Sequence, residues 1–233
     1  MSEPLVLLPG MGCTPALWSR LELEAELVAP VLEQPDLNAE VDRLLGLLPD
    51  RFALAGLSLG AIVAMALVRC AAGRVGRLAL LSTNPYGPTP AQHRGWAEQR
   101  RQLAAGSARA LQTSLLPVLL SPTVLSHQPD VVDLTLEMAD ELGENRYDAQ
   151  LRLQATRVDE RPGLARVDCP TLVLAARDDR LCPLGRHEEI ARLVPGSTLA
   201  VLDDCAHLSP LEQPAAVSRH LRHWLSAPAP PRP

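Results

Sequence analysis

Residues 52–72 constrain this chain more than any other stretch. A short apolar run, Phe52 to Ala55, meets Gly56-Leu57-Ser58-Leu59-Gly60, and a long apolar segment rich in helix formers follows at once. The pattern is strand, tight turn, helix, with a serine at the turn. Gly-x-Ser-x-Gly in that setting is the signature of a nucleophile elbow. The turn is sharp, so the residues two before and two after the serine must be very small. Gly56 and Gly60 meet that need. The hydroxyl then stands above a sheet at a helix N-terminus, where free N–H groups and the dipole favour developing negative charge. The same five residues also suit an ordinary small-residue turn with Ser58 as an N-cap, so the rest of the chain decides.

That rest alternates between strand and helix. Leu5–Leu8 is an apolar run between Pro4 and Pro9, read as a buried strand. The glycine-rich turn Pro9-Gly10-Met11-Gly12-Cys13 follows it. Thr14 as a cap and Pro15 at the first helical position predict a helix to about Leu27, then a second strand over Val28–Leu32. An amphipathic helix is expected over Asn38–Leu48 and a strand over Leu78–Leu81. After residue 161 the rhythm resumes with a strand at Thr171–Ala176, a helix at Leu184–Leu193, a strand at Thr198–Leu202 and a helix from about Gln213 to Leu225. Such alternation means βαβ units, hence an α/β fold with a mostly parallel sheet covered on both faces. The near-continuous apolar strands agree.

Residues 86–161 break the rhythm. No run of strand quality occurs there, and helical periodicity returns in four pieces near 90–106, 107–119, 129–142 and 145–157, punctuated by Pro117, Pro122 and Pro129. The expected organisation is therefore a core of 1–85 and 162–226, a helical lid insertion of 86–161, and a Pro-rich tail of 227–233 that can form neither helix nor sheet.

Composition narrows the class. The chain has 233 residues, 47% hydrophobic and 21% charged, which suits one domain with an insertion. Net charge is −5 and all 22 basic residues are arginine. No basic patch with interleaved aromatics appears, so nucleic acid is not an expected partner. The five cysteines are scattered without a Cys-x-x-Cys, which argues against a disulfide framework or a zinc site. No apolar run has membrane-spanning length, and Leu5–Leu8 is too short for a signal peptide. A soluble cytoplasmic protein without a membrane partner is expected.

Three further signals fall at strand ends, where ligand sites of open α/β sheets lie. Asp179 follows the strand 171–176, His207 follows 198–202, and the turn Pro9–Gly12 follows the first strand. A serine hydroxyl is a poor nucleophile at neutral pH and needs a base, for which histidine is the natural choice. The base needs a carboxylate to fix its tautomer and to stabilise the imidazolium. The oxyanion needs preorganised N–H donors. In this topology those donors are the backbone N–H groups of Leu59 and Met11. The order Ser58, Asp179, His207 matches that of one known serine-hydrolase arrangement.

The chain resembles the α/β-hydrolase superfamily over essentially its whole length. Leu7-Leu-Pro-Gly-Met-Gly12 is similar to the family's oxyanion turn and Gly56-Leu-Ser-Leu-Gly60 to its elbow. Ala176-Arg-Asp-Asp179 with Pro183 resembles its acid loop, and Ala206-His207-Leu208 with Leu211-Glu-Gln-Pro214 its histidine loop. The likeness is greatest to small bacterial esterases with a helical lid, including the pimeloyl-carrier methyl esterases. Two departures stand out. Pro9-Gly10 replaces the usual His-Gly, and the Asp-x-Pro-Gly-x-Gly loop after the second strand is missing, with Glu33-Gln-Pro-Asp36 passing straight into a helix. The N-terminal antiparallel strands of larger members are also absent, so a sheet of about six strands is expected.

The resemblance implies a cofactor-free serine hydrolase of carboxylic esters with a small to medium hydrophobic acyl group. Thioesters, lactones and acyl-carrier-bound methyl esters suit the same triad, as does C–C bond hydrolysis or lyase chemistry. An acyl carrier protein is then a conceivable partner. A non-catalytic α/β-hydrolase module that binds a ligand is the reading from another class. Asp178 competes with Asp179 as the triad acid, though spacing to Pro183 favours Asp179; Asp203 and Asp204 lie too close to His207. Trp18, Tyr86 and Trp96 are candidates for the acyl pocket, or equally for core and lid packing. His93, His127 and His187 read as surface or lid residues. His220 and His223 lack a third ligand, so no metal is expected. Cys13 and Cys205 read as packing residues, and Ser82 and Asn84 as turn caps.

Overall fold

The structure is a computed structural model that describes residues 3–227. The tail expected over 227–233 therefore lies outside the described residues apart from Ala227. Six strands form one sheet: β1 (Leu5–Leu8), β2 (Leu27–Val28), β3 (Phe52–Leu57), β4 (Val75–Leu81), β5 (Thr171–Ala176) and β6 (Thr198–Leu202). Their order is β2-β1-β3-β4-β5-β6 and every pairing is parallel. This is the parallel α/β sheet of about six strands that the sequence predicts.

The helices are α1 (Leu37–Leu47), α2 (Leu59–Ala71), α3 (Pro90–Ala105), α4 (Ala108–Leu119), α5 (Pro122–His127), α6 (Pro129–Thr156), α7 (Arg161–Leu164), α8 (Leu184–Leu193), α9 (Ser209–Glu212) and α10 (Pro214–Ser226). Strand alternation sorts the core into two layers. Leu5, Leu7, Ala53, Ala55 and Leu57 face one cluster with Val217, Leu221 and Trp224 of α10. Val6, Leu8, Leu54, Leu78 and Leu80 face the other with α1, α2 and Ile190 of α8. Side chains of a strand point alternately to opposite faces, so a strand buried on both reads as an unbroken apolar run. α2 is apolar all round because it is buried all round: every residue from Leu59 to Val68 is buried.

The connection between β4 and β5 holds α3 to α7. Leu103, Leu111, Ala139, Leu142, Tyr147 and Leu151 form a small core among α3, α4 and α6. Thr89 opens α3 with a capping box to Gln92, and Ser107 and Ser121 cap α4 and α5. α6 is broken at Gly143, whose φ of 71° and ψ of 167° leave the helical region. Positive φ is tolerated by glycine, and the break divides α6 close to where two separate helices were expected.

The segment after the turn Pro9–Gly12 differs from expectation. Instead of a helix to Leu27, a short 3₁₀ turn over Pro15–Trp18 gives way to irregular chain. Leu21, Leu23 and Ala25 are half-buried while Glu22, Glu24 and Glu26 are exposed. That alternation has period two, that of extended chain. Ser218 Oγ accepts from Glu22 N, and Arg222 donates to Glu22 O, which ties the segment to α10. The second strand is only Leu27–Val28, because Pro30 brings no N–H to a ladder.

Candidate active site

The sheet order reverses between β1 and β3: the chain steps from β1 outward to β2, then back to β3 on the other side. Open α/β sheets bind ligands beyond the carboxyl ends of the strands at such a point. There the register pairs Leu8 with Gly56, so the turn after β1 lies beside the elbow after β3. Ser58 occupies the turn with φ 54° and ψ −112°, a strained conformation for a residue with a Cβ. The close approach explains both glycines. A Cβ on Gly60 would lie 2.0 Å from Leu8 O, and one on Gly56 would lie 2.5 Å from Gly60 C. Ser58 makes no side-chain cap, which sets it apart from an ordinary N-cap serine. Ser58 N donates to Leu81 O at 2.9 Å and Thr83 Oγ1 donates to Ser58 O at 3.2 Å.

The turn after β1 is held from α6, one of the helices between β4 and β5. Gly12 N donates to Gln150 Oε1 at 2.9 Å, and Gln150 Nε2 donates to Leu32 O at 2.8 Å. Both ends of one buried amide are thus used to fix the turn that carries Met11. Leu59 is the first residue of α2, and N–H groups in the first turn of a helix have no partner within it.

Asp179 and His207 meet beyond the ends of β5 and β6. His207 Nδ1 and Asp179 Oδ2 are 2.8 Å apart and both residues are buried. Asp179 Oδ1 accepts from Leu181 N and Cys182 N, each at 2.9 Å. Burial alone would raise the Asp179 pKa. The His207 ring and the two N–H groups outweigh it, and the carboxyl is held below the usual range. Asp178, its competitor, is exposed, and Asp203 pairs with Arg177 at the surface.

The loop that carries His207 is anchored to the end of α4. Leu119 O, at the end of α4, accepts from His207 N at 3.1 Å and from Leu208 N at 3.2 Å. Glu212 Oε2 accepts from Ser121 N at 3.1 Å. Carbonyls in the last turn of a helix have no partner within it, and this one is satisfied by the loop that carries His207.

Ser58 and His207 line one cavity of about 140 Å³ together with Gly10 and Met11. Leu57, Ile62, Leu115, Val118 and Leu119 supply an apolar wall. Polar side chains line it as well: Asn84, Gln92, Gln99, Gln112, Gln154 and Arg157. The sequence reading expects a small to medium hydrophobic acyl group, whereas the cavity beside Ser58 is lined by polar as well as apolar side chains.

Of the three aromatic candidates, Trp96 lines the cavity. Trp18 is buried in the core layer that includes α10. Tyr86 bonds Glu189 and lies beneath the guanidinium groups of Arg161 and Arg186.

His187, expected at the surface, is fully buried beneath the site. Its Nε2 accepts from Thr83 N at 2.9 Å, so the neutral tautomer carries its proton on Nδ1. Burial lowers its pKa to about 4. His187, Thr83 and Ser58 O thus form a chain of support under the elbow. No local pattern in the sequence marks this role, since His187 stands in a helix with polar neighbours.

The donor atoms of Asp179, Cys182 and His207 lie within 4.8 Å of one another. Three hydrogen bonds already occupy the carboxylate and Nδ1. Burial pushes the Cys182 thiol up to about 12, whereas a metal needs the thiolate. Cys13 is likewise pushed up to about 12 by burial, and Cys205 is pushed up as well, in keeping with packing rather than reactive roles. Among the described residues, no helix is long and apolar enough to cross a membrane.

Comparison with known proteins points the same way as the fold. Residues 5–220 match the model of the alpha/beta hydrolase family. The chain is 30% identical to a pimeloyl-[acyl-carrier protein] methyl ester esterase of Aromatoleum aromaticum, over 92% of this chain and 95% of that one. Among solved structures, a thermophilic esterase from Thermogutta terrifontis superposes with a TM-score of 0.83 at 24% identity, covering 97% of this chain and 90% of the other. An enol-lactonase from Burkholderia xenovorans LB400 superposes with a TM-score of 0.86 at 19% identity, covering 97% and 93%. At those identities the two superpositions speak for the fold alone.

Proposed function

The chain belongs to the alpha/beta hydrolase family, and we propose that it is a serine hydrolase that cleaves small carboxylic esters through Ser58, His207 and Asp179. The observation that carries this reading is the buried His207–Asp179 pair at 2.8 Å, in a cavity shared with a serine held at positive φ. Asp179 accepts the Nδ1 proton, so Nε2 is the nitrogen left to serve Ser58. Ser58 Oγ attacks the ester carbonyl while His207 takes its proton. The tetrahedral oxyanion is held by the N–H groups of Met11 and Leu59, each such donor being worth about 3–4 kcal/mol in acyl transfer. His207 then protonates the departing alcohol. In the second half, water gives its proton to His207 and attacks the acyl-enzyme, which releases the acid and restores Ser58. No cofactor takes part in these steps.

Residues 86–161 act as the lid in this reading, closing the cavity over Ser58 and supplying its polar wall. The protein is taken to work in the cytoplasm on a small-molecule ester. The methyl esterase relative makes an acyl carrier protein a possible carrier of the substrate, but the small cavity favours a free ester. Thioesters and lactones would pass through the same acyl-enzyme.

The test is labelling and turnover. A fluorophosphonate should modify the wild-type protein at Ser58, and p-nitrophenyl acetate or butyrate should be hydrolysed. Ser58→Ala should abolish labelling and lower kcat by about 10⁴-fold or more. Absence of both labelling and turnover in folded wild-type protein would leave the idle binding module as the better account.

A further inference from the structure

The cavity beside Ser58 ends against a cation without a counter-ion. Arg157, the residue that closes α6, lines the cavity and is only 5% exposed. Its Nη1 donates to Gln154 Oε1 at 3.0 Å and its Nη2 to Gln92 Oε1 at 3.1 Å. The guanidinium carbon sits 5.2 Å from the centre of the Trp96 ring. All three partners are neutral. Its acidic neighbours in sequence are committed elsewhere, Asp159 to Arg161 and Glu160 to Arg69. Among the described residues, no carboxylate forms an ion pair with Arg157.

Two donors in this polar wall remain unused. Arg157 Nε is buried without a partner, and so is Gln112 Nε2. Gln112 Oε1 already accepts from Tyr147 OH at 2.6 Å, which turns the amide so that its N–H₂ is the free end. Burying an unpaired charge is unfavourable, and burial already lowers the Arg157 pKa. The two amide oxygens and the indole face hold the guanidinium in place without neutralising it. A planar guanidinium with a free Nε edge matches the two oxygens of a carboxylate.

We propose that Arg157, with Gln112 as a second donor, binds a carboxylate carried by the substrate, so that the preferred substrates are small esters bearing a free acid group, such as half-esters of short dicarboxylic acids. The assignment rests on the hydrolase reading of Ser58. The pairing replaces neutral contacts with an ion pair inside the cavity and turns an unfavourable buried charge into a source of selectivity. The volume of about 140 Å³ restricts the class to short chains.

The experiment compares monomethyl glutarate with methyl valerate, an ester of the same chain length without the acid, by methanol release. Wild-type protein should favour the acid ester, and Arg157→Gln should lower the acid-to-neutral ratio of kcat/KM by about 100-fold, chiefly through KM. Arg157→Lys should recover part of that ratio. A second measurement needs no variant: glutarate should inhibit methyl valerate hydrolysis competitively, and glutaramide should not. Turnover of methyl valerate with no preference for the acid ester, and equal inhibition by glutarate and glutaramide, would overturn the role of Arg157 and leave the hydrolase reading standing. Failure to cleave either ester, with no fluorophosphonate label on Ser58, would instead remove the hydrolase reading on which it rests.

Discussion

Asp179→Asn tests the assignment of the acid through a consequence that depends on atomic detail. The side chain faces donors on two sides. Oδ1 receives two backbone N–H groups and Oδ2 faces His207 Nδ1. An asparagine has one oxygen to serve both sides. If its oxygen stays on the backbone side, its NH₂ faces His207 and forces Nδ1 to accept. The ring proton then sits on Nε2, which can no longer take the proton of Ser58. The flipped amide would keep the correct tautomer but would point NH₂ at two backbone N–H donors, that of Cys182 buried and that of Leu181 partly so. Leaving the buried donor unsatisfied costs about 1–3 kcal/mol, so the flip is disfavoured by at least that much. The wrong tautomer therefore dominates, by at least about 5-fold. Loss of imidazolium stabilisation adds to this, and the combined fall in kcat should be about 10³–10⁴-fold. Stability should change little, because the backbone bonds to Oδ1 survive. The assay is ester turnover and the rate of fluorophosphonate labelling, with Asp178→Asn as the exposed control. A fall below about 10-fold, or equal falls in the two variants, would refute this account of the acid.

Three more outcomes are expected. Gly60→Ala should destabilise by about 3 kcal/mol or more, because its Cβ would lie 2.0 Å from the Leu8 backbone oxygen; Gly46→Ala, with nothing within 4 Å of its Cβ, should stabilise α1 by up to about 1 kcal/mol, and urea unfolding midpoints would read both. Gln150→Leu leaves Gly12 N and Leu32 O without their partner, which should cost about 2–4 kcal/mol and lower kcat as the oxyanion turn loosens; unchanged stability and rate would deny the amide its bracing role. His187 has its folded pKa depressed from 6.5 to about 4, so the unfolded chain binds the extra proton between those values. Its contribution to stability is full above about pH 6.5 and is lost as pH falls towards 4, by about 3 kcal/mol in all. Denaturation of wild type and His187→Gln at pH 7 and pH 4.5 should therefore differ in slope, and parallel curves would argue against it.

The sequence was most legible where structure depends on near neighbours. The elbow reads directly because Gly56 and Gly60 answer a local steric demand. The strands read as apolar runs because both faces of the sheet are covered. The helices between β4 and β5 are legible in their periodicity; Pro122 and Pro129 open α5 and α6, whereas Pro117, also read as punctuation, lies inside α4. Asp179 and His207 could be placed at strand ends, and the structure brings them within hydrogen-bonding distance. The failures have a common cause. Leu21, Leu23 and Ala25 carry a period of two that a capping threonine and Pro15 obscured. His187 is buried by residues far away in sequence, and Trp18 lies in a core layer rather than in the cavity. Arg157 looks like any surface arginine until α3 brings Gln92 and Trp96 against it, beside Gln154 of its own helix. Contacts of that kind leave no periodic trace, and they decide what the cavity can hold.

The hydrogen bonds from His207 N and Leu208 N to Leu119 O bear on how proteins of this design can change. An insertion that only covered the site could be exchanged for another and leave the chemistry intact. Here the last carbonyl of α4 is part of what sets the height of the histidine. A replacement helix ending one residue earlier or later would offer its carbonyl about 1.5 Å further along the axis and rotated by about 100°. New specificity grafted by exchanging residues 86–161 would therefore bring a penalty in rate unless the end of α4 were kept. Point substitutions within the polar wall, which leave that helix end untouched, offer the less disruptive route to a different substrate.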